Sequence, residues 1–177
     1  FMEIELENLS IMRNEQFKAI PELNGISTIA FNPSQNILYV GPYTVGLTKE
    51  NRLINKSVYV FTFPDLNLVT KILTPGQPNE YKYVKETNKL YISHHRGFCV
   101  VDCSTNKIIK EWPYSIYRME YIGNNKMLLS LYGFVWKQRE GKWISEPSDN
   151  KLIILDTLKD EVVKEFIGDF GPVARSL

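Results

Sequence analysis

The sequence predicts an all-β fold built from repeated four-stranded antiparallel sheets, and three observations support this class. Aromatic residues make up 12% of the chain and include ten tyrosines, and aromatic side chains favour strands. Short apolar runs alternate with turns rich in Asn, Asp and Ser along the 177 residues, as expected for strands joined by tight turns. Similar strand–turn–strand pairs also recur along the chain, which indicates an internal repeat.

Four of these pairs align with one another, and each reads as a strand, a short polar turn and a second strand. They are "FMEIELENLSIMRNEQF", "VYVFTFPDLNLVTKIL", "FCVVDCSTNKIIKEWP" and "LIILDTLKDEVVKEFI". One apolar position before the turn is occupied in turn by Ile4, Phe61, Val101 and Leu155. Its counterpart beyond the turn is occupied by Ile11, Leu68, Ile108 and Val162. The shared register indicates one repeated structural element.

Three further pairs lie between these four and complete a larger unit. They are "ISTIAFNPSQNILYVG", "EYKYVKETNKLYISH" and "YRMEYIGNNKMLLSL", and their turns end at Asn36, Asn88 and Asn125. One unit is therefore four successive antiparallel strands. Such a unit recurring at about 40 residues is typical of a propeller blade. A β-sandwich with coincidental spacing is the alternative, and the matching register of both hairpins favours the propeller.

At this point the sequence resembles a known family, the YVTN-type propeller repeat. The segments "KLYISHHRGFCVVDCSTNKIIKEW" and "KLIILDTLKDEVVKEFIG" are similar to its "LYV" strand, its "V-D-T" strand end, its "T-N-K" turn and its outgoing "V-V-x-x-I" strand. The resemblance covers roughly residues 26–168 and is strongest over 80–112. It departs at "FTFPDLN" and in loop length. A WD-type repeat is less favoured, because no Gly-His pair or Trp-Asp dipeptide stands at the matching places.

The repeat predicts a single domain that is an incomplete ring. We expect an outer half-blade at 1–20, blades near 24–73, 80–112 and 117–167, and the start of a further blade at 168–177. Closed propellers typically have 4–8 blades. Three interpretations follow: a fragment of a longer protein, an open arc capped by another element, or two chains joined head to tail in a ring of roughly eight blades.

One face of the predicted propeller collects the irregular segments. Turns between the second and third strands of a blade share a face with the connections between blades, so segments 41–57, 94–97 and 132–150 should lie together, and loops on rigid scaffolds commonly carry binding. Arginine and aromatic side chains there are typical of binding hot spots. The candidate binding residues are Tyr43, Lys49, Arg52, His94, His95, Arg96, Trp136, Arg139 and Trp143. Alternatively, the 132–150 insertion folds over its blade and the tryptophans cover an open edge.

The chain's two histidines and two cysteines fall within residues 94–103, but the pattern does not favour a metal site. Cys99 and Cys103 would be about 13 Å apart along a strand, too far to converge on zinc or to form a disulfide. We interpret them as packing thiols beside a polar turn. The sequence contains no nucleophile elbow, phosphate-binding loop or dinucleotide motif, so we predict no cofactor and assign no catalytic residue.

Charge and hydropathy limit the kinds of partner that the chain is expected to bind. With 21 basic and 20 acidic residues, the chain has no global field that would attract nucleic acid or anionic lipid. No apolar run is long enough to span a bilayer, and the charged first residues do not resemble a signal peptide. A leader removed earlier is compatible with this, so the compartment stays open.

The function that the sequence favours is a non-catalytic interaction scaffold that binds a protein or another ligand on the loop-bearing face. Two alternatives stay open. One is a propeller-type enzyme whose site is completed by missing blades or a second chain. The resemblance permits it, because quinoprotein and lactonase propellers are structurally similar, but it transfers no catalytic residue. The other is a structural protein that assembles through its open blade edges, for example as a homodimer that closes a ring.

Overall fold

The computed structural model describes residues 25–42 and 56–168, which form three antiparallel sheets. The first sheet has the order β1-β2-β3-β4 and the second the order β5-β6-β7-β8. The first comprises β1 (Ile26–Asn32), β2 (Ile37–Pro42), β3 (Ser57–Thr62) and β4 (Leu68–Leu73). The second comprises β5 (Pro78–Val84), β6 (Lys89–His94), β7 (Gly97–Asp102) and β8 (Lys107–Trp112). Each sheet is a simple meander of consecutive strands.

The third sheet is a meander with one extension. It comprises β9 (Tyr114–Gly123), β10 (Lys126–Arg139), β11 (Lys142–Pro147), β12 (Lys151–Asp156) and β13 (Glu161–Ile167). The first half of β10 pairs with β9 and β12, and the second half continues outward and pairs with β11. The resulting β10–β11 hairpin extends the four-stranded order β9-β10-β12-β13.

The predicted all-β class with antiparallel four-stranded sheets is confirmed. The sheets span 26–73, 78–112 and 114–167, and in the described part of the chain they are open and do not close into a ring. The half-blade predicted at 1–20 lies outside the described residues, and so do residues 169–177. None of the described segments is a helix long and apolar enough to cross a membrane.

The turn between the first and second strands of every sheet contains an asparagine with positive φ. Asn36, Asn88 and Asn125 have φ of 53°, 50° and 55°, the left-handed conformation that Asn tolerates better than most residues because its side chain can bond nearby backbone. The turn between the third and fourth strands also contains a residue with positive φ. This residue is Leu66, Asn106 or Asp160. In each sheet, the register shifts just before that turn, so the same bulged hairpin is built three times.

The core lies between the sheets. Tyr39, Val58 and Val60 of the first sheet pack against Leu90 and Ile92 of the second. Tyr91, Phe98 and Val100, on the opposite side of the second sheet, join a cluster with buried side chains of the third sheet. Those third-sheet side chains include Met119, Met127, Leu129, Ile153 and Leu155. The second sheet is therefore buried on both faces, which explains why β6 and β7 are nearly continuous apolar runs.

Adjacent sheets are also joined by one repeated polar contact. The Tyr39 hydroxyl donates to Asn106 Oδ1 at 3.2 Å, and the Tyr91 hydroxyl donates to Asp160 Oδ1 at 2.6 Å. Both tyrosines occupy the same position in their second strands, and both acceptors occupy the same position in the turn between the next sheet's third and fourth strands. Burial raises the pKa of both tyrosine hydroxyls, so both stay protonated donors. We call these contacts the tyrosine links.

The third sheet leaves more apolar surface uncovered than the second. The position equivalent to Tyr91 is Leu128, which is partly buried. Large exposed apolar side chains on this sheet are Tyr117, Ile122, Tyr132, Val163, Phe166 and Ile167. This surface contrasts with β6 and β7, whose apolar side chains are all buried.

Candidate binding site on the loop face

Backbone hydrogen bonds divide the turns between two faces. On one face, each turn between the first and second strands accepts a bond from the turn that follows the third strand. These bonds are Phe63 N–H to Asn36 O, Cys103 N–H to Asn88 O and Thr157 N–H to Asn125 O, at 2.7 to 3.1 Å. On the opposite face, which we call the loop face, the 94–97 turn and the 132–150 segment bond to the linkers at 74–77 and 112–114.

The 94–97 turn is held tightly between the linkers. His94 pairs with Gly97, and the His95 amide donates to Gln77 O at 2.9 Å. Gly97 has a φ of +151°, and a Cβ there would lie 2.1 Å from Trp112 O. Only glycine fits this position without displacing backbone, because Gly97 lies directly beside the end of β8, against Trp112 and Pro113.

The β10–β11 hairpin is braced by charge pairs of its own. Lys137 Nζ lies 2.5 Å from Glu146 Oε2, and the Arg139 guanidinium pairs with Glu146 Oε1. The hydrogen bond from Lys137, together with the Arg139 charge, lowers the pKa of Glu146. Backbone pairing continues to Arg139 and Lys142, and Gly141 turns the chain with a φ of +75° in open space. Arg139, a candidate binding residue, is therefore engaged within the hairpin.

Four of the predicted binding residues meet where this hairpin reaches the 94–97 turn. The His95 and Trp136 rings have centroids 5.1 Å apart. The Arg96 Cζ lies 5.2 Å from the centre of the Trp143 ring, within the range of a cation–π contact. The hairpin is tied down at its base because the Trp136 amide donates to Pro113 O at 3.2 Å. Sequence segments about 40 residues apart thus form one surface.

This meeting point encloses a cleft of about 240 Å³. Its flat apolar walls are Pro75, Trp112, Pro113 and Trp143, and its polar groups are His94, Arg96 and Glu111. The candidate list derived from sequence includes only three of these residues. The missed residues lie in or beside the linkers "TPGQPNEY" and "WPYSIY". The order of strands in the meander predicted which face these linkers lie on. It could not predict that they line a cleft, because no sequence pattern marks a linker as a cleft wall.

His94 is the buried polar group of the cleft, with 5% of its surface exposed. Its Nδ1 accepts a hydrogen bond from the Arg96 amide at 3.2 Å, while Nε2 is buried without a partner in the described part of the chain. Burial lowers the pKa of His94 to about 4, with smaller contributions from Arg96 and His95. The ring is therefore neutral near pH 7, and because Nδ1 is an acceptor, its proton is on Nε2.

The remaining sequence candidates fall elsewhere. Tyr43, Lys49 and Arg52 lie outside the described residues. Trp136 lies on the β10–β11 hairpin, is partly buried and packs against the His95 ring. The binding role of these residues stays a prediction.

The cysteines and histidines do not form a ligand cluster. Cys99 and Cys103 are free and buried, and both pack in the core between the first and second sheets. Burial raises the pKa of both thiols, that of Cys103 to about 11, so both are protonated near pH 7. Within residues 25–42 and 56–168, no three His, Cys, Asp or Glu side chains are grouped to hold a metal ion.

Comparison with known proteins identifies the fold but not a protein family. No protein-family model and no curated protein sequence matches the chain significantly. Among solved structures, it is similar to the Pan2 WD40 domain of Neurospora crassa, with 13% identity and a TM-score of 0.55 over 82% of this chain and 41% of that chain. It is also similar to the complex of KlAtg21 with the coiled coil of AgAtg16, with 12% identity and a TM-score of 0.54 over 80% of this chain and 41% of that chain.

A third similar structure is the dihydro-heme d1 dehydrogenase NirN in complex with DHE, with 14% identity and a TM-score of 0.51 over 78% of this chain and 37% of that chain. The chain spans about two fifths of the length of these three structures. The neighbours are β-propeller and WD40-type proteins, and the chain has this all-β, propeller-type fold with unclosed sheets. At such low identity the likeness establishes the fold alone, because one fold hosts many functions.

Proposed function

We propose that this chain is a non-catalytic interaction scaffold of the propeller class, that its repeats are of the YVTN type, and that it binds a protein partner on the loop face. The cleft at the junction of the 94–97 turn and the β10–β11 hairpin carries the proposal. Two tryptophans and an arginine border it, the residue types that dominate binding hot spots. Rigid sheets on either side hold the cleft open.

The structural neighbours do not decide between binding and catalysis. One of them is a dehydrogenase, and another is in complex with a coiled coil. The choice therefore rests on the chemistry of this chain. Among the described residues, the side chain of His94 bonds the Arg96 amide and no hydroxyl or thiol, whereas nucleophilic catalysis pairs a base with a hydroxyl or thiol. This favours binding. The assembly alternative uses the open blade edges rather than the loop face.

Site-specific photo-crosslinking tests the proposal. A benzophenone amino acid is placed at Lys142, an exposed residue of the β10–β11 hairpin, or at Lys159, an exposed residue of a turn on the opposite face. In an extract of the source cells, we expect one protein to crosslink from position 142 and not from position 159. Adding Trp143→Ala should abolish that crosslink. Equal capture from both positions, or capture that Trp143→Ala leaves unchanged, would contradict the loop face as the binding surface.

A further inference from the structure

We infer that two copies of this chain associate through the β11 strand, which pairs antiparallel with β11 of the second copy about a two-fold axis at Ile144. The interaction goes beyond the proposed function, because it uses the outer edge of β11 rather than the cleft. Three features support it: a sheet edge with outward backbone groups, a charge pattern that complements itself, and a hairpin that is braced before association.

The first feature is the open edge of β11. In the described part of the chain, this strand is the last of its sheet and pairs only with β10. All six of its residues are at least partly exposed. The unpaired N–H and C=O groups along such an edge form a template for a strand of another chain.

The hairpin turn determines which of these groups point outward. Both residues of the turn, 140–141, have positive φ, as in a two-residue type I′ turn. Arg139 and Lys142 flank the turn as a pair, so they are hydrogen-bonded to each other. Bonded and non-bonded pairs then alternate along the hairpin. The N–H and C=O groups of Trp143 and Ser145 therefore point away from β10.

Two backbone bonds agree with this alternation. The Trp136 amide, opposite Ser145 in the register, donates to Pro113 O and so points away from β11. The Ser148 amide donates to Gly133 O at 2.9 Å, which continues the series of bonded pairs by one step. Among the strands that the structure describes, none takes up the outward groups of β11.

The second feature is the charge pattern of the segment "KWISE" in β11. When Trp143 of each copy pairs with Ser145 of the other, all four outward amides are bonded. Ile144 then lies opposite Ile144, and Lys142 lies opposite Glu146 at both ends. These last pairs are non-bonded ones, in which side chains come closest, and opposite charges placed there are stabilising.

Other arrangements lose these charge pairs. A slip of one residue turns facing side chains to opposite sides of the sheet. A slip of two residues sets Ile144 opposite Lys142 or Glu146. Parallel pairing sets like charges side by side. The pattern therefore selects a second copy of the same strand in one orientation.

The third feature is the bracing of the hairpin. Lys137 and Arg139 both pair with Glu146, and a backbone bond ties the hairpin to the linker at 112–114. Lys142 is exposed on the same side of the strand as Glu146 and takes no part in this pairing. Because the edge is already ordered, little conformational entropy is lost when a second copy pairs with it.

Cysteine trapping tests the two-fold register on the full 177-residue chain. One strand from each copy makes an interface smaller than the usual ~800 Å² per partner, so the pair is weak and a covalent trap suits it. In Ile144→Cys the two thiols lie at the axis, within disulfide range, whereas in Lys142→Cys they lie about 13 Å apart along the strands. Under mild oxidation, we expect Ile144→Cys to form a disulfide-linked dimer about tenfold faster, although Lys142 is the more exposed position. The native Cys99 and Cys103 are buried, and the unmodified chain serves as the blank.

A charge exchange tests the pairing of Lys142 with Glu146. In Lys142→Glu and in Glu146→Lys, like charges face each other twice, so we expect each variant to dimerise about tenfold more weakly by sedimentation equilibrium. An equimolar mixture of the two restores opposite charges at both ends and should form a heterodimer with the original affinity. Lys159→Glu makes the same change of charge on the opposite face and should have no effect.

Circular dichroism checks that each variant is folded. Glu146→Lys also loses the charge pairs within its own hairpin, and if it does not fold, Ser145→Pro takes its place. Proline is tolerated on a sheet edge, and here it would remove two of the four intermolecular bonds and weaken the dimer.

Equal trapping at positions 142 and 144 overturns the inference. So does a chain that stays monomeric at every concentration without trapping at 144, or a dimer that the charge and proline variants leave unchanged. Only this chain is present in these experiments, so none of these outcomes bears on the proposed function.

Discussion

Single residues explain how neighbouring sheets keep their alignment. The tyrosine links place a hydroxyl donor in one sheet and an Asn or Asp acceptor in the next, at the same two repeat positions. The Tyr91–Asp160 link is the stronger type of hydrogen bond, because its acceptor is a carboxylate. Lys89 Nζ also pairs with this carboxylate at 2.5 Å. The two links are natural controls for each other.

Replacing the link tyrosines by phenylalanine should destabilise the chain unequally. Tyr91→Phe removes the single hydroxyl proton that is donated to Asp160 Oδ1 at 2.6 Å and lies within reach of Thr157 O, and we expect it to lower the free energy of unfolding by about 1.5–3 kcal/mol. Tyr39→Phe removes a longer bond to a neutral amide, with an expected loss of about 0.5–1.5 kcal/mol. Urea unfolding of both variants measures the difference. An equal or reversed order would show that the Asp160 contact is not a stabilising link.

Residue identity in the sequence revealed some of these features and not others. Asn36, Asn88 and Asn125 were identifiable as turn residues because a left-handed conformation favours asparagine, and all three have positive φ. The tyrosine links were not identifiable, because tyrosine is also an ordinary core and strand residue. A hydrogen bond across two sheets depends on their relative placement, which local propensity does not encode.

At the scale of secondary structure elements, the loop face depends on two glycines with different surroundings. Gly97 closes the 94–97 turn against Trp112 O, whereas Gly141 turns the β10–β11 hairpin in open space. Both have φ values that side chains disfavour, but only Gly97 also lacks room. Comparing substitutions at the two positions therefore separates the cost of backbone strain from the cost of a steric clash.

The matched substitutions Gly97→Ala and Gly141→Ala should therefore differ in severity. Gly141→Ala carries the conformational cost alone, about 1–2 kcal/mol. Gly97→Ala adds a Cβ 2.1 Å from a carbonyl oxygen, so the turn must shift, and we expect a fall in melting temperature several times larger. Thermal unfolding followed by circular dichroism measures both. Similar melting temperatures would mean that the turn moves away from β8 without cost.

The elements of the site were only partly predictable. The meander register placed the 94–97 turn and the 132–150 segment on one face, and Trp136 and Trp143 around "KQREGK" indicated a hairpin, which β10 and β11 form. Trp112 and Pro113 were not recognised as cleft walls. The cleft forms only because β10 continues for 14 residues, past its pairing with β12 and into its pairing with β11, which follows from tertiary packing rather than from local pattern.

At the scale of the whole molecule, burial is concentrated in the middle of the arc. In the second sheet, the inner strands β6 and β7 are buried on both faces. In the third sheet, the inner strand β12 and the first half of β10 alternate between buried and partly buried residues, and the outer strand β13 is mostly exposed. The repeat predicted equal blades, and it could not show this gradient, because each blade's burial depends on what lies beside it.

Hydrogen exchange should follow the same gradient. Residues 90–94 and 97–101 are buried on both faces of their strands, and we expect their amides to exchange most slowly among the described strands. Amides of residues 161–167 should exchange fastest, because an outer strand opens without unfolding the core. Mass spectrometry of proteolytic peptides after timed labelling measures both. Equal protection of the two segments would indicate that β13 is covered by another surface in solution.

The tyrosine links have one consequence for evolution and engineering of the array. In both links the donor belongs to the earlier sheet and the acceptor to the later one, so each sheet has a leading and a trailing side that are chemically distinct. The series of sheets therefore has a direction. A sheet inserted in reversed orientation would place a donor opposite a donor or an acceptor opposite an acceptor. Leu128 stands where the third sheet would need a donor to continue the series. A module copied after it would therefore lack the tyrosine link that joins the first three sheets.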